Sequence, residues 1–129
     1  MGRHMRSIGL SPDKVLCSTA VRTRETANLA LAEVGARDLP IVYDAAIYEA
    51  SAPALMERLR RLEPEIDHLL MIGHNPGLQD LILSLTGERL EGPYATIADK
   101  LPTGALVVVD LTIDDWSQVG RGCGTVRHF

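Results

Sequence analysis

One histidine lies where a buried strand is expected to stop and a helix to begin. The apolar segment Leu69–Ile72 ends on Gly73 and His74, and Asn75 and Pro76 follow directly. Asparagine is a favoured helix cap, and proline is favoured at the first helical position because its missing N–H costs nothing there. A helix N-terminus offers free N–H groups and a positive dipole end, and an imidazole beside it can donate a further hydrogen bond. The turn between this strand and this helix is therefore suited to bind an anion such as phosphate.

A second predicted junction between a strand and a helix, similar to the one at His74, lies earlier in the chain. Ser18 follows the apolar segment Lys14–Cys17, its hydroxyl can cap a helix, and Arg22 falls in the first turn of that predicted helix. A guanidinium grips phosphate oxygens in a bidentate fork. Ligands of open parallel sheets bind outside the carboxyl ends of the strands, so Arg22 and His74 are expected to meet at one site. Taken alone, Arg22 is better explained by a surface ion pair with Glu25 or with a neighbouring helix. The predicted anion site at His74 is what favours phosphate.

Segments typical of strands and helices alternate along the chain. The alternation predicts an α/β fold, a three-layer sandwich in which helices cover both faces of a mostly parallel sheet. The expected strands are Lys14–Cys17, Ile41–Tyr43, His68–Ile72, Ala105–Leu111 and Thr125–Phe129. The expected helices are Thr19–Val34, Pro53–Leu62 and Pro76–Leu85, with a polar loop over 88–101. The length predicts that residues 1–129 form a single domain.

The composition limits the classes of partner. A net charge of −4 gives no general attraction to nucleic acid or to an anionic membrane, so we expect neither as a partner. Cys17 and Cys123 make no disulfide framework, and the apolar setting of Cys17 predicts a buried thiol. No apolar run approaches eighteen residues and no signal peptide is evident, so a cytoplasmic protein is expected. No pattern of histidines, cysteines and carboxylates predicts a metal, and we expect no cofactor.

Four segments of the chain together resemble the motifs of one protein family. They are V-L-C-S-T-A-V-R-T-R-E-T-A from Val15, Y-E-A-S from Tyr48, I-G-H-N-P-G-L from Ile72 and L-P-T-G-A-L from Leu101. They are similar to those of the histidine phosphatase superfamily, in particular its short bacterial branch, the SixA-type phosphohistidine phosphatases. The resemblance implies a phosphoglycerate mutase-like fold and hydrolysis of a phosphorylated protein or small phosphorylated molecule through a phosphohistidine. It also implies that Arg22 is the second pocket arginine, and that His74 is the second pocket histidine, which stabilises charge on the transferring phosphoryl group.

The sequence departs from this family at the nucleophile. The family places that histidine in an Arg-His-Gly or Arg-His-Ala motif after its first strand, and the 129 residues contain no such motif. Arg3 and His4 look similar, but no apolar strand precedes them, and Met1–Gly9 aligns with the family's first helix. We therefore expect an N-terminally truncated domain, with an impaired site and with sheet edges open to self-association.

Weaker candidates surround the two main residues. Glu49 lies near the position where larger relatives carry a proton-donating acid, although an exposed structural glutamate explains it more readily. Ser18 and Asn75 are candidates for hydrogen bonds to the phosphate. The remaining candidates have structural explanations, as turn residues or surface histidines: Thr103, Gly104, His68 and His128.

Two classes of function stay open at this stage. One is a phosphatase that uses covalent catalysis, in which a histidine nucleophile splits one difficult displacement into two easier ones. The alternative is a non-catalytic phosphate-binding domain. An upstream in-frame strand that ends in Arg-His-Gly or Arg-His-Ala would favour the enzyme.

Overall fold

The computed structural model describes residues 12–20, 25–26, 41–87, 91–99 and 107–128. The chain divides into two compact units, each made of two stretches of sequence. The first unit contains Met1–Glu49 and Pro64–His74, and the second contains Ala50–Glu63 and Asn75–Phe129. The single domain expected from the length of the chain stays a prediction.

The first unit is built on a three-stranded parallel sheet. Its strands are β1 (Lys14–Cys17), β2 (Ile41–Tyr43) and β3 (Leu69–Ile72), in the order β2-β1-β3. At the carboxyl end of β1, Cys17 lies opposite Tyr43 on one side and opposite Ile72 on the other. The bounds of β1 and β2 confirm the prediction, whereas β3 begins one residue later than predicted.

β1 is the buried centre of this sheet. Val15, Leu16 and Cys17 are all fully buried, and the predicted burial of the Cys17 thiol is confirmed. Val15 and Cys17 pack with Ile72 on one face, and Leu16 points to the other because side chains alternate along a strand. A strand that is buried on both faces needs apolar residues at every position, which explains its lack of polar alternation.

Asp13 determines where β3 begins. Its carboxylate accepts hydrogen bonds from the backbone N–H groups of Asp67 and His68, at 3.0 and 2.9 Å. Its own N–H donates to the carbonyl of His68 at 2.9 Å. Because a side chain binds the N–H of His68, the pairing between strands starts at Leu69. For this reason β3 is one residue shorter than predicted.

The described part of the second unit contains three α-helices and a two-stranded antiparallel sheet. The helices are α1 (Ala52–Arg60), α2 (Gly77–Leu85) and α3 (Pro93–Asp99), and the strands are β4 (Val108–Leu111) and β5 (Gly124–His128). Short 3₁₀-helices lie at Ala45–Ile47 in the first unit and at Trp116–Gln118 in the second. β4 and β5 confirm that two strands lie here, but β4 excludes Val107 and β5 begins one residue before the predicted Thr125. Residues 105–106 and 129 lie outside the described residues. β4 and β5 pair with each other rather than with the parallel sheet.

α1 follows its predicted amphipathic pattern. Its N-cap is Ser51, whose hydroxyl accepts the N–H of Ala54 at 3.4 Å. Ala52 is buried, and so are all the residues of the predicted apolar face: Leu55, Met56, Leu59 and Leu62. The helix ends at Arg60, two residues before the predicted end, because the N–H of Arg61 turns to the nearer carbonyl of Arg58.

α2 begins differently from the prediction. The sequence favours Asn75 as the N-cap and Pro76 as the first helical residue. In the structure Pro76 is itself the N-cap, no side chain caps the helix there, and Gly77 is the first helical residue. The helical hydrogen bonds start with the N–H of Asp80, which donates to the carbonyl of Pro76 at 2.9 Å. The prediction of an Asn75 cap is therefore wrong.

A close backbone approach explains the glycine at the start of α2. A Cβ atom on Gly77 would lie 2.2 Å from the carbonyl oxygen of Ala50 and 3.5 Å from a methyl group of Leu55. Only glycine permits this contact without displacement of the chain. At its other end α2 stops at Leu85, as predicted, and Gly87 follows in the left-handed region with a φ of 75°.

α3 lies where the sequence predicts a polar loop, so that prediction is wrong. A helix of seven residues is too short to be stable alone, and contacts from outside the segment stabilise this one. Tyr94 and Ile97, one turn apart, are buried. The Gln79 side-chain amide of α2 donates to the carbonyls of Ile97 and Ala98 at 2.6 and 3.2 Å. The Tyr94 hydroxyl accepts the N–H of Val126 in β5 at 3.2 Å.

The described residues thus form a mixed α/β fold whose larger sheet is parallel, which confirms the predicted fold class. Among them, no helix is long and apolar enough to cross a membrane. The predicted helical segment Met1–Gly9 and most of the predicted helix Thr19–Val34 lie outside the described residues. Glu25 and Thr26, which are described, are helical.

Candidate functional site

The carboxyl ends of the three parallel strands are linked by two backbone hydrogen bonds. The N–H of Ser18, directly after β1, donates to the carbonyl of Ile72 at 2.9 Å. The N–H of Asp44, directly after β2, donates to the carbonyl of Cys17 at the same distance. The residues that follow the three strands therefore emerge together where the strands end, at the carboxyl edge of the sheet. This edge is where ligands of open parallel sheets bind.

His74 lies at this edge, two residues after the end of β3, and is half-buried. Its Nε2 atom is 2.7 Å from the hydroxyl oxygen of Ser18, which is 56 positions away in the chain. Ser18 is fully buried, so water competes little with this hydrogen bond. The structure therefore joins two of the residues that the sequence singled out.

The Ser18 hydroxyl also binds the backbone of the turn after β1. The N–H of Ala20 donates to its oxygen at 3.3 Å, the two-residue spacing of a serine turn. The expected local role of this hydroxyl, as an acceptor for a backbone N–H, is thus compatible with its contact to His74.

Tyr48 is an aromatic neighbour of His74. The two ring centroids are 5.5 Å apart and the ring planes meet at 81°, a T-shaped geometry that aromatic pairs favour. Tyr48 follows the 3₁₀-helix Ala45–Ile47, whose N-cap Asp44 accepts the N–H of Ala46 at 2.9 Å. Sequence reasoning assigned no role to Tyr48, and only its place in the Y-E-A-S motif marked it. Its side chain is 50% exposed, so it lines the site from the solvent side.

Glu49 follows Tyr48 with an uncommon backbone conformation. Its φ of 51° lies in the left-handed region, which residues other than glycine rarely adopt. Such conformations cost about 1–3 kcal/mol and cluster at binding and catalytic sites. The side chain of Glu49 is exposed. Its suggested role as a proton donor stays a prediction.

Several other candidates are not placed at this edge of the sheet. Arg22 lies outside the described residues, so its convergence with His74 stays a prediction. His68 is exposed at the start of β3, as expected of a surface histidine. Within the described ranges, no three His, Cys, Asp or Glu residues are grouped as metal ligands would be. Other residues named from the sequence also lie outside the description: His4, Thr103 and Gly104.

The imidazole of His74 is thus held from two directions. A hydrogen bond fixes one ring nitrogen, and the tyrosine ring fixes the plane in which the imidazole lies. A preorganised imidazole can donate a hydrogen bond to an anion or stabilise negative charge that develops next to it.

Comparison with solved structures identifies the fold of this site. A protein of Agrobacterium tumefaciens assigned as the phosphohistidine phosphatase SixA has a TM-score of 0.75 and 25% identity, over 85% of this chain and 68% of its own. A SixA-assigned protein of Nakamurella multipartitia has a TM-score of 0.64 and 21% identity, over 98% and 76%. A protein histidine phosphatase SixA complexed with tungstate has a TM-score of 0.69 and 22% identity, over 98% and 73%. The chain has a phosphoglycerate mutase-like fold, and these structural neighbours are SixA phosphohistidine phosphatases of the histidine phosphatase superfamily.

Curated relatives at the sequence level come from mycobacteria. An uncharacterized protein of Mycobacterium tuberculosis is 32% identical over 121 residues, which cover 91% of this chain and 72% of the relative. An uncharacterized protein of Mycobacterium leprae is 31% identical over 100 residues, which cover 77% of this chain and 59% of the relative. No family model matches the chain.

Proposed function

We propose that this protein is a phosphatase that transfers a phosphoryl group first to a histidine and then to water. The observation that carries the proposal is the half-buried imidazole of His74, bound by the Ser18 hydroxyl at the carboxyl edge of the parallel sheet. The likeness to SixA phosphohistidine phosphatases supports a phosphorylated substrate. One of these structures holds tungstate, a tetrahedral oxyanion similar in shape to phosphate.

In the proposed reaction two displacements occur at phosphorus. A histidine nitrogen forms a P–N bond while the bond from phosphorus to the leaving group breaks, and the leaving group takes up a proton. Water then attacks phosphorus, the P–N bond breaks, and inorganic phosphate is released. Arg22 holds phosphoryl oxygens in a bidentate fork, and His74 stabilises the charge that develops on them. Glu49 is the candidate donor of the proton to the leaving group.

The nucleophile is the part that these 129 residues do not contain in the family's form. Arg-His occurs at Arg3–His4 and at Arg127–His128, and neither pair is followed by glycine or alanine. The charge-stabilising residues Arg22 and His74 are present. We therefore expect the 129-residue polypeptide to bind phosphate but to turn over substrate poorly.

The proposed substrate is a phosphorylated protein or a small phosphorylated molecule. Recognition rests on the phosphoryl group, which Arg22 and His74 bind in either kind of substrate. The net charge of −4 disfavours nucleic acid and anionic membranes as partners, and a cytoplasmic location fits the proposal.

A non-catalytic phosphate-binding domain is the second candidate function. The observation that favours it is the absence of Arg-His-Gly and Arg-His-Ala from the 129 residues. The two functions differ in one measurable property, since the binding domain holds phosphate without turnover.

The test compares hydrolysis of p-nitrophenyl phosphate by two polypeptides. One is the 129-residue chain, and the other is the same chain preceded by the first strand of a SixA protein, ending in Arg-His-Gly. We expect little turnover from the first and measurable turnover from the second. In the second, His74→Ala should lower kcat by about 10²–10³-fold because it removes a preorganised donor.

His68→Ala is the matched control, since His68 is exposed at the opposite end of β3. Equal turnover by the two polypeptides would show that another residue supplies the nucleophile. Turnover that survives His74→Ala unchanged would overturn the role of His74. Phosphate binding with no turnover from either polypeptide would favour the binding domain.

A further inference from the structure

The buried hydroxyl of Ser18 is placed to act on His74 rather than on a ligand. Its residue has no exposed surface, whereas His74 is partly exposed beside it. The 2.7 Å contact from Ser18 Oγ to His74 Nε2 is a short hydrogen bond. The Ser18 hydroxyl is buried, so any effect that it has on a bound ligand acts through His74, the candidate charge-stabilising residue.

The two nitrogens of an imidazole are chemically distinct, and a partner on one of them decides the state of the other. In the structure Nε2 of His74 is engaged by Ser18, so Nδ1 is the ring nitrogen that can bind an anion. To donate to a phosphoryl oxygen, Nδ1 must carry a proton. In the neutral ring this requires the Nδ1–H tautomer, in which Nε2 accepts a hydrogen bond.

We propose that Ser18 is a positioning residue that keeps the proton on Nδ1 of His74. One lone pair of the Ser18 hydroxyl already accepts the N–H of Ala20 at 3.3 Å, which favours donation of the hydroxyl proton to Nε2. When the ring becomes cationic, the hydroxyl rotates and accepts from Nε2–H instead. A serine hydroxyl can make both bonds, so Nδ1 carries a proton in either charge state.

Tyr48 completes this arrangement. The Ser18 hydroxyl binds one ring nitrogen, and the tyrosine ring stands nearly perpendicular to the imidazole plane, at 81°. The first contact sets which nitrogen faces outward, and the second restricts rotation of the ring. The Nδ1–H group is then a donor of fixed direction, as stabilisation of developing charge requires.

A role of Nδ1–H in stabilising phosphoryl charge rests on the proposed phosphatase function. The tautomer of His74 does not depend on that function, so the first experiment uses neither substrate nor phosphate. Protein labelled with ¹⁵N in its histidine rings is examined by long-range ¹H–¹⁵N NMR at alkaline pH. His74→Gln assigns the signals of this ring. We expect the Nδ1–H tautomer to predominate in the unsubstituted protein.

Substitution of Ser18 then distinguishes a serine that sets the tautomer of His74 from one that only supports the fold. In Ser18→Ala the ring loses its partner, and the Nε2–H tautomer, which a free imidazole prefers, should become the major form. Ser18→Thr keeps the hydroxyl and should retain Nδ1–H. Ser51→Ala is the matched control, because that hydroxyl binds the N–H of Ala54 and not a histidine. It should leave the His74 signals unchanged.

Either of two results would overturn the proposal: Nε2–H as the major tautomer in the unsubstituted protein, or the same tautomer ratio after Ser18→Ala. The first needs no substitution of the buried serine, so the proposal is falsifiable even if the Ser18 variants do not fold. A second measurement tests the catalytic consequence, since Ser18→Ala should weaken binding of inorganic phosphate about tenfold. If the unsubstituted protein binds no phosphate, the proposed function fails while the tautomer result stands.

Discussion

At the scale of single residues, the properties of His74 depend on two side chains from distant parts of the sequence. Ser18 binds one nitrogen and Tyr48 stands against the ring. An unrestrained histidine loses rotational freedom when it binds an anion, and that loss weakens the interaction. A ring that is already oriented avoids this cost, which is why preorganised donors are effective in phosphoryl transfer.

The proposed partner of His74 leads to a prediction about anion binding. Arg22→Ala should abolish binding of inorganic phosphate by the 129-residue polypeptide, because it removes the bidentate donor of the proposed pocket. Phosphate is titrated into labelled protein, and binding is followed by amide chemical shifts in NMR spectra. Arg61→Ala is the matched control, since that side chain is 72% exposed and lies 3.7 Å from Glu57 on α1.

A second control tests the alternative location of the site. His4→Ala should leave phosphate binding intact, because Arg3–His4 is not followed by the glycine or alanine of the family's nucleophile motif. Loss of binding in His4→Ala together with normal binding in Arg22→Ala would show that the anion site lies elsewhere.

At the scale of secondary-structure elements, the start of α2 depends on one close contact. Gly77→Ala would place a methyl group 2.2 Å from the carbonyl oxygen of Ala50. Because backbone atoms must move to relieve this overlap, we expect a loss of about 1–3 kcal/mol in the free energy of unfolding. Urea denaturation measures the change.

Gly120→Ala is the control for the Gly77 substitution. The nearest atom to its new methyl group would be the carbonyl oxygen of Gln118, at an ordinary contact distance of 3.8 Å. We expect its stability to equal that of the unsubstituted protein or to exceed it slightly, because alanine restricts the unfolded chain. Equal stability of the two alanine variants would contradict the packing explanation.

The 3₁₀-helix Trp116–Gln118 leads to a prediction about pH. Hydrogen bonds from the Ser117 hydroxyl and the Ser117 backbone N–H lower the pKa of Asp115 from its ordinary value. A carboxyl group whose pKa is lower in the folded state adds stability above its unfolded pKa, and that stability is lost as the pH falls through the folded pKa. The contribution of Asp115 should therefore be present at neutral pH and disappear in acid.

Chemical denaturation gives the free energies of unfolding of the protein and of Asp115→Asn at a series of pH values, from neutral to about pH 2. The lowest pH lies below the ordinary range of carboxyl pKa values. The variant should be slightly less stable at neutral pH, and the difference should shrink as the pH falls. A difference that is constant over this range would show that the charge of Asp115 contributes nothing.

At the scale of the whole molecule, the outer strands of the parallel sheet offer surfaces for self-association. Among the described strands, β2 and β3 are the outer members of that sheet. Val42 and Tyr43 of β2 are 37% and 42% exposed, which is high for large apolar side chains. Edge strands with exposed apolar residues can pair with a second chain.

We therefore expect the 129-residue polypeptide to self-associate at high concentration. Val42→Lys should suppress the association, because a lysine on an edge strand opposes pairing. Sedimentation velocity over a range of concentrations provides the measurement. Ala54→Lys places the same charge at an exposed position of α1, outside both sheets, and should have no effect. A polypeptide that stays monomeric at every concentration would contradict the prediction.

Local sequence was enough to place the described strands and the helices α1 and α2, although not all of their ends. β1 and β2 lie where predicted, and α1 and α2 differ from their predicted ends by at most two residues. These segments were predictable because continuous apolar runs, three- and four-residue periodicity, and glycine stops act within a few neighbouring positions. His74 was identified for the same reason, since the strand end and the proline beside it are local signals.

Only the tertiary structure decided which residues surround His74 and where the weaker elements lie. The sequence predicted that the segments of Ser18 and His74 meet, but not the hydrogen bond that joins these two residues across 56 positions. The α3 helix exists because Gln79 and Val126 bind it from other elements, although its own seven residues favour a loop. Such contacts depend on the meeting of segments that are remote in the chain, which local preferences do not encode.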